Sequence, residues 1–148
     1  MERVVMGKYD KYVITRPQLV ENLAYHGKRA EPFTFYVTKE LIPEANYYMD
    51  ISWRTKVPTP NPTCVLHIHD VIQILLFTGE PGSFEVVVPL VAPRDPVIDQ
   101  LTARPEDEYK VDRTAAIYIP PNVRHNVKYL RIDGPMAEIG MTMRGTYP

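Results

Sequence analysis

Fifteen prolines are spread along the 148 residues of this chain, and they restrict what it can fold into. Proline is poorly tolerated inside helices and in central strands, so it divides a chain into short extended segments and loops. Ten tyrosines, together with many valines and isoleucines, favour β structure between the prolines. Many short strands separated by turns predict an all-β sandwich or barrel.

The length fits one domain, and the net charge of −1 argues against a generic nucleic-acid surface, which would be basic. The single cysteine, Cys64, excludes a disulfide within the chain. The first residues lack the apolar run of a signal peptide, and no stretch approaches the length of a spanning helix. These features predict a cytoplasmic protein without a membrane or nucleic-acid partner.

Residues 1–45 are less regular than the rest and are predicted to form an extension that packs on the barrel or on a partner subunit. A threonine cap and an early proline predict a short helix from Thr15 to Leu23, and a second helical turn is predicted at Thr38. Residues 33–37 read as a strand. The barrel itself is predicted over residues 46–148.

Strands follow one another from residue 46 onwards. In residues 46–54, Tyr47, Met49, Ile51 and Trp53 share one face, the period of a half-buried strand. Further strands are predicted at residues 64–77, 84–91, 114–119, 123–130 and 136–143.

Two histidines two residues apart, His67 and His69, share one face if their segment is a strand. Gln73 has the same parity, as do the apolar residues Val65, Val71, Leu75 and Phe77. Imidazoles that converge on one face can bind a borderline metal such as zinc, iron, nickel or copper. By itself, an H-x-H pair is a weak signal. Cys64 has the opposite parity and is not predicted as a ligand, and His26 is predicted to be exposed.

The third histidine, His125, lies in the alternating residues 123–130. It shares the apolar face with Val123, Val127 and Tyr129, whereas Arg124, Asn126 and Lys128 share the other. Asn122, just before this run, is one of the few residues that tolerates positive φ in a turn. A histidine at such a position is more often a core residue than a ligand. Together with the H-x-H pair, however, it predicts a metal site.

These residues resemble the two signature motifs of the cupin superfamily. In the first motif, H-x-H is followed by a glutamate and then a glycine, and His67, His69, Gln73 and Gly79 correspond here. In the second, P-x-G-x-x-H corresponds to residues 120–125, with Asn122 in place of the glycine. The resemblance covers roughly residues 46–143. It implies a cupin barrel (a double-stranded β-helix or jelly roll) with a short irregular N-terminal segment containing one or two helical turns.

The resemblance implies that His67, His69 and His125 hold one divalent metal ion (Fe, Zn, Ni or Mn), with Gln73 where the glutamate ligand is expected. Tyr129 replaces the asparagine that ends the second motif. Three imidazoles and an amide neutralise none of the metal charge, which favours an anionic ligand such as a carboxylate or enolate. Gln73 either binds the metal or orients a substrate. Tyr129, with the inward parity of His125, is a candidate catalytic residue, and ordinary core packing is its alternative.

Three functions remain open on the sequence. The first is a metal-dependent enzyme that acts on a small organic anion as a dioxygenase, decarboxylase, lyase or isomerase. The second is a cupin that binds a small ligand without turnover. The third is a metal-free, sugar-modifying cupin of the epimerase type, with His67 or His69 as the base.

The opposite face of the central strand is apolar except for Asp70, and it comprises Leu66, Ile68, Ile72, Ile74 and Leu76. The outside of a two-sheet domain normally meets water, so either the N-terminal segment or a second subunit must cover this face. Cupins commonly form dimers in this way. The resemblance therefore predicts a homodimer.

Overall fold

The computed structural model describes residues 7–26 and 32–144. This part of the chain contains ten strands, which are β1 (Gln18–Val20), β2 (Phe33–Val37), β3 (Tyr48–Arg54), β4 (Gln73–Gly79), β5 (Phe84–Val91), β6 (Glu108–Val111), β7 (Ala115–Ile119), β8 (Arg124–His125), β9 (Lys128–Ile132) and β10 (Met136–Thr142). It also contains two short 3-10 helices, Asp10–Tyr12 and Pro105–Asp107. No helix in it is both long and apolar enough to cross a membrane.

The strands form two antiparallel sheets, as the all-β expectation requires. The larger sheet has the order β1-β2-β3-β10-β4-β7. In the smaller sheet β5 is central, with β6 on one side and β8 and β9 pairing with β5 as well. The expected strand over residues 84–91 is confirmed to the residue.

The apolar core lies between the two sheets. It comprises Leu75 and Phe77 of β4, Phe84, Val86 and Val88 of β5, Val111, Ile119, Val127, Tyr129 and Met136. Gly79 ends β4 at a close approach: a Cβ there would lie 3.0 Å from both the Met136 Cβ and the Phe84 Cε1. The far end of β4, which begins at Gln73, is where the polar site described below is found.

The inward face of β3 is its polar face, which reverses the usual sense of the alternation. Tyr48 is fully buried and Arg54 is buried, whereas Trp53 is 70% exposed. The half-buried strand was therefore predicted correctly, but its apolar side chains lie on the outside of the larger sheet. Asp50, Tyr48 and Arg54 consequently face the interior.

The helix predicted from Thr15 is wrong, because residues 18–20 form β1. Gln18, Leu19 and Val20 pair with Phe35, Thr34 and Phe33 of β2, so pairing with a distant strand overrides the local helix signal. The turn at Thr38 is confirmed: the Ile42 N–H donates to the Thr38 carbonyl at 2.8 Å. Since β2 pairs with β3, the described part of the N-terminal segment extends the larger sheet. A domain boundary at residue 45 stays a prediction.

Candidate metal site

The H-x-H pair does not lie on a regular strand. Of the strand expected at residues 64–77, only residues 73–77 are strand, as the first part of β4, and the segment before Gln73 carries isolated bridges. One bridge joins His67 to His125, with the His67 N–H donating to the His125 carbonyl at 3.2 Å and the His125 N–H donating back at 3.0 Å. The two motifs are therefore held together by their main chains.

The turn before His125 supplies a second main-chain link. Asn122 adopts a positive φ of 65°, as its residue type predicted, and its N–H donates to the His69 carbonyl at 2.7 Å. Asparagine tolerates this conformation far better than a branched residue would. This hydrogen bond thus fixes the position of the main chain before His125 relative to that of His69.

The side chains of His67, His69 and His125 converge in a buried cluster. Their potential ligand atoms all lie within 4.8 Å of one another, and the Nε2 atoms of His67 and His69 are 3.2 Å apart. All three residues are less than a tenth exposed. This convergence fits a metal site, and the number and identity of the ions bound there stay a prediction.

Two of the imidazoles are oriented by main-chain carbonyls. The Nδ1–H of His67 donates to the Val65 carbonyl at 2.8 Å, and that of His125 donates to the Val123 carbonyl at 3.0 Å. Each bond leaves Nε2 as the atom that carries the free lone pair, which is the usual arrangement of a metal-binding histidine. Among the described residues, His125 Nε2 is buried without a hydrogen-bond partner.

Burial keeps the three imidazoles uncharged. It lowers the pKa of His67, and together with the proximity of His67 it lowers the pKa of His69 to about 4 and that of His125 to about 3. All three are therefore neutral at pH 7. Neutral imidazoles are the form that binds metal, so no proton has to be removed first.

Gln73, the first residue of β4, is buried beside the cluster. Its Oε1 has no hydrogen-bond partner among the described residues. A buried amide oxygen without a partner costs free energy, and a cation would satisfy it. The residues present therefore fit a metal ion, with three nitrogen donors and one amide oxygen.

A cavity of about 40 Å³ adjoins the cluster. A space of this size holds about three water molecules. Gln73, His67 and His125 line it, together with the carboxylate-bearing Asp50 and Glu138. The sequence analysis did not identify these two carboxylates, of which Asp50 lies on β3 and Glu138 on β10. For Asp50 the available signal was the period-two alternation of β3, whose polar face turns inward.

The N-terminal segment also contributes to this cavity. His26, which was predicted to be exposed, is half-buried, lines the cavity and pairs with Cys64 in an isolated bridge. Cys64 lines the cavity too, although it is not part of the histidine cluster. Tyr25 stacks on the imidazole of His67, with ring centroids 4.8 Å apart and planes 11° from parallel. Strand parity could not place these residues, because their segments are irregular.

The fold was compared with known proteins. The chain matches no protein-family model and no curated protein sequence. The structure is similar to CapF, a capsular polysaccharide assembling protein of Staphylococcus aureus (TM-score 0.53, 19% identity, 88% of this chain and 30% of that chain). It is also similar to hydroxypropylphosphonic acid epoxidase (HppE) from S. wedmorenis (TM-score 0.52, 15% identity, 88% of this chain and 58% of that chain).

CapF and HppE both have cupin folds. This chain has a cupin fold. A third similar structure is Peruvianin-I, a cysteine peptidase from Thevetia peruviana latex (TM-score 0.57, 8% identity, 98% of this chain and 79% of that chain). At these identities the likeness concerns the fold alone. The chain spans 30% of CapF and 58% of the epoxidase.

Tyr129 belongs to the apolar core and is not among the residues that line the cavity. Its hydroxyl donates a short hydrogen bond to Glu138, and the Arg54 guanidinium lies 4.9 Å from the centre of its ring. Burial and the charge of Glu138 raise the pKa of Tyr129 well above its usual value. Tyr129 therefore reaches the cavity through Glu138. A catalytic role for it stays a prediction.

Proposed function

We propose that this cupin binds one divalent metal ion through His67, His69 and His125 and uses it on a small organic molecule. The observation that carries the proposal is the convergence of three buried, neutral imidazoles from two segments, with ligand atoms within 4.8 Å of one another. Three neutral imidazoles suit zinc, iron, nickel or copper, and three protein ligands with an open position are typical of catalytic sites.

Gln73 is proposed as the fourth protein group at the metal. Its partnerless buried Oε1 supports this role, since an amide oxygen is a donor that divalent metals accept. Fe, Zn, Ni and Mn remain the candidate ions. The solved Fe(II) form of HppE supports testing iron first.

A bound divalent ion would supply Lewis-acid chemistry and lower the pKa of a coordinated water. The chain's own residues add no negative charge to the ligand set, so an anionic oxygen, such as a carboxylate or enolate, is the favoured ligand. The cavity of about 40 Å³ beside the cluster is small. The proposed substrate is accordingly a small organic anion.

The proposed reaction is of the dioxygenase, decarboxylase, lyase or isomerase type. Asp50 and Glu138 favour an enzyme over a ligand-binding protein without turnover, because carboxylates beside a metal site can exchange protons with a substrate. A metal-free, sugar-modifying cupin is the third candidate. The 3.2 Å approach of the His67 and His69 Nε2 atoms is compatible with it, since one proton can be shared there.

Metal analysis of the purified protein tests the proposal. We expect about one bound ion per chain in the wild type, and we expect the doubly substituted His67→Ala/His125→Ala protein to lose it. His26→Ala is the matched control, because it removes a histidine from the same cavity but not from the cluster. Wild-type metal content in the doubly substituted protein, with its β circular dichroism intact, would contradict the assignment.

Turnover separates an enzyme from a binding protein. The metal-loaded protein is incubated with a panel of small carboxylates and enolates, in air and without oxygen. Consumption of a compound that depends on His67 and His125 supports an enzyme. Saturable binding of a compound without its consumption supports the ligand-binding alternative.

We further propose that the protein is a homodimer. The outer face of the larger sheet carries Met49, Ile51, Trp53, Ile74, Leu76, Tyr118, Ile139 and Met141, which the strand register places side by side. Trp53 is 70% and Tyr118 is 57% exposed. A contiguous apolar face of this kind is uncommon in a monomer. In the described part of the N-terminal segment, β1 and β2 extend the sheet at its edge.

A further inference from the structure

Asp50 lies on the inward face of β3, opposite Gly140 of β10. A Cβ at Gly140 would lie 2.8 Å from Asp50 Oδ2 and 3.2 Å from Oδ1. The carboxylate of Asp50 therefore extends over the main chain of β10, in space that any other residue at position 140 would occupy. Glycine at this position is needed for that close approach rather than for a special backbone angle.

The strands that Asp50 lies against lead across the sheet to Gln73 at the candidate metal site. The row of paired residues continues from Gly140 to Leu75 of β4, two residues from Gln73. Asp50, Gln73, His67 and His125 all line the cavity of about 40 Å³. Asp50 is not among the groups that lie within 4.8 Å of one another, so it lines the cavity outside the histidine cluster.

Glu138, the other carboxylate at this cavity, already has an identified role. It accepts the hydrogen bond of the buried Tyr129 hydroxyl, and Arg54 places its positive charge on the face of the same ring. The Glu138 carboxylate is thus already engaged by a hydrogen-bond donor. Asp50 is the carboxylate that lies against Gly140 of β10.

We propose that Asp50 supplies the negative charge that the ligand set lacks, and that it accepts a hydrogen bond from a water or substrate hydroxyl held between it and the three histidines. The inference rests on the proposed function. A divalent ion held by neutral donors keeps its full charge, and a carboxylate across a small cavity stabilises that charge more strongly than it would in bulk water. Asp50 is thus a positioning group, and the molecule that it positions between itself and the histidines is a water or a substrate with a hydroxyl group.

Zinc binding, measured by calorimetry on the metal-free full chain, tests this inference. Asp50→Asn keeps the shape of the side chain and removes its charge, and we expect it to weaken Zn²⁺ binding about tenfold to a hundredfold. The control, Glu85→Gln, removes the same charge from a β5 residue that pairs with Lys110 at 2.7 Å. We expect this control to bind Zn²⁺ as the wild type does.

Gly140→Ala provides a second, independent variant. It leaves the charge of Asp50 in place but fills the space of its carboxylate, so it should also weaken Zn²⁺ binding. The combined Asp50→Asn/Gly140→Ala protein should bind no more weakly than Asp50→Asn alone, because both changes remove one interaction. If the losses of Zn²⁺ binding free energy in the two single variants add in the combined protein, the inference is overturned.

The outcomes separate this inference from the proposed function. If His67→Ala/His125→Ala retains its metal, the metal site itself is wrong. If that protein loses the metal while Asp50→Asn, still folded by its thermal midpoint, binds Zn²⁺ within about twofold of the wild type, only the role of Asp50 is wrong.

Discussion

Gln73 determines how much charge the proposed metal would keep. In the cupin motif a glutamate stands at this position, and the structure places the Gln73 amide at the same cavity as His67 and His125. Its Oε1 has no partner among the described residues. The replacement of a carboxylate by an amide therefore changes the electrostatics of the site without changing its shape.

Gln73→Glu is expected to tighten divalent-metal binding by about tenfold or more, because a carboxylate is a charged and stronger donor than an amide. Without metal, the variant should have a lower thermal midpoint, because its carboxylate is then buried at a cavity that already contains the carboxylates of Asp50 and Glu138. Zinc calorimetry and thermal unfolding with and without Zn²⁺ measure both effects. Gln100→Glu adds the same charge at an exposed position and is the control. Unchanged zinc affinity in Gln73→Glu would show that this side chain does not face the metal.

At the scale of elements, β3 shows how a strand can be identified correctly and oriented incorrectly. Its alternation places Asp50 and Arg54 on one face and Trp53 on the other, and the usual rule assigns the apolar face to the interior. The interior beside β3 contains a polar cavity and the Tyr129–Glu138 hydrogen bond, so the polar face is the buried one. The outward apolar face is what suggests a second subunit.

The proline-rich loop of residues 57–62 is attached to β9 by one side chain. The Asn61 amide donates to the Tyr129 carbonyl at 2.7 Å, and its Oδ1 accepts from the Tyr129 N–H at 2.9 Å. The Asn61 side chain thus makes the two hydrogen bonds that a neighbouring strand would make to the N–H and the carbonyl of Tyr129. The chain then reaches Thr63, whose N–H donates to the Val127 carbonyl at 2.9 Å.

We expect Asn61→Ala to lower the free energy of unfolding by about 1–2 kcal/mol, because two hydrogen bonds to β9 are lost. Asn61→Asp, which keeps the acceptor and loses the donor, should cost less. Urea unfolding measures the difference, and Asn46→Ala at an exposed position is the control. A change within about 0.5 kcal/mol of the wild type would mean that the loop does not depend on Asn61.

At the scale of the whole molecule, the outer face of the larger sheet is apolar, and within the described residues Trp53 and Tyr118 on it are largely exposed. Ile74 and Met141 are direct neighbours on it, and Trp53 lies at one end of the same surface. Leu66 and Ile68, which the sequence grouped with this face, precede β4 and line a groove that Tyr25 and His67 also line. The face expected at the dimer interface is therefore built from β3, β10, β4 and β7.

Light scattering at micromolar concentration should give twice the 17.0 kDa mass of the chain. Ile74→Glu should give a monomer, because it places a charge in the centre of the apolar interface. Tyr109→Glu changes an exposed aromatic residue of β6 in the other sheet and should leave the dimer intact. A monomeric wild type would contradict the proposed assembly.

The sequence by itself determined the all-β class, most of the strands and the three histidines, because alternation and proline spacing are local properties that the fold preserves. The extended chain around His67 and His69 keeps both side chains on one side even where no regular strand forms. Only the tertiary structure decided which face of β3 is buried, that residues 18–20 are a strand, and that Asp50, Glu138, His26 and Cys64 share the cavity. Each of these depends on pairing or packing between segments far apart in the chain, and no short stretch of sequence contains that information.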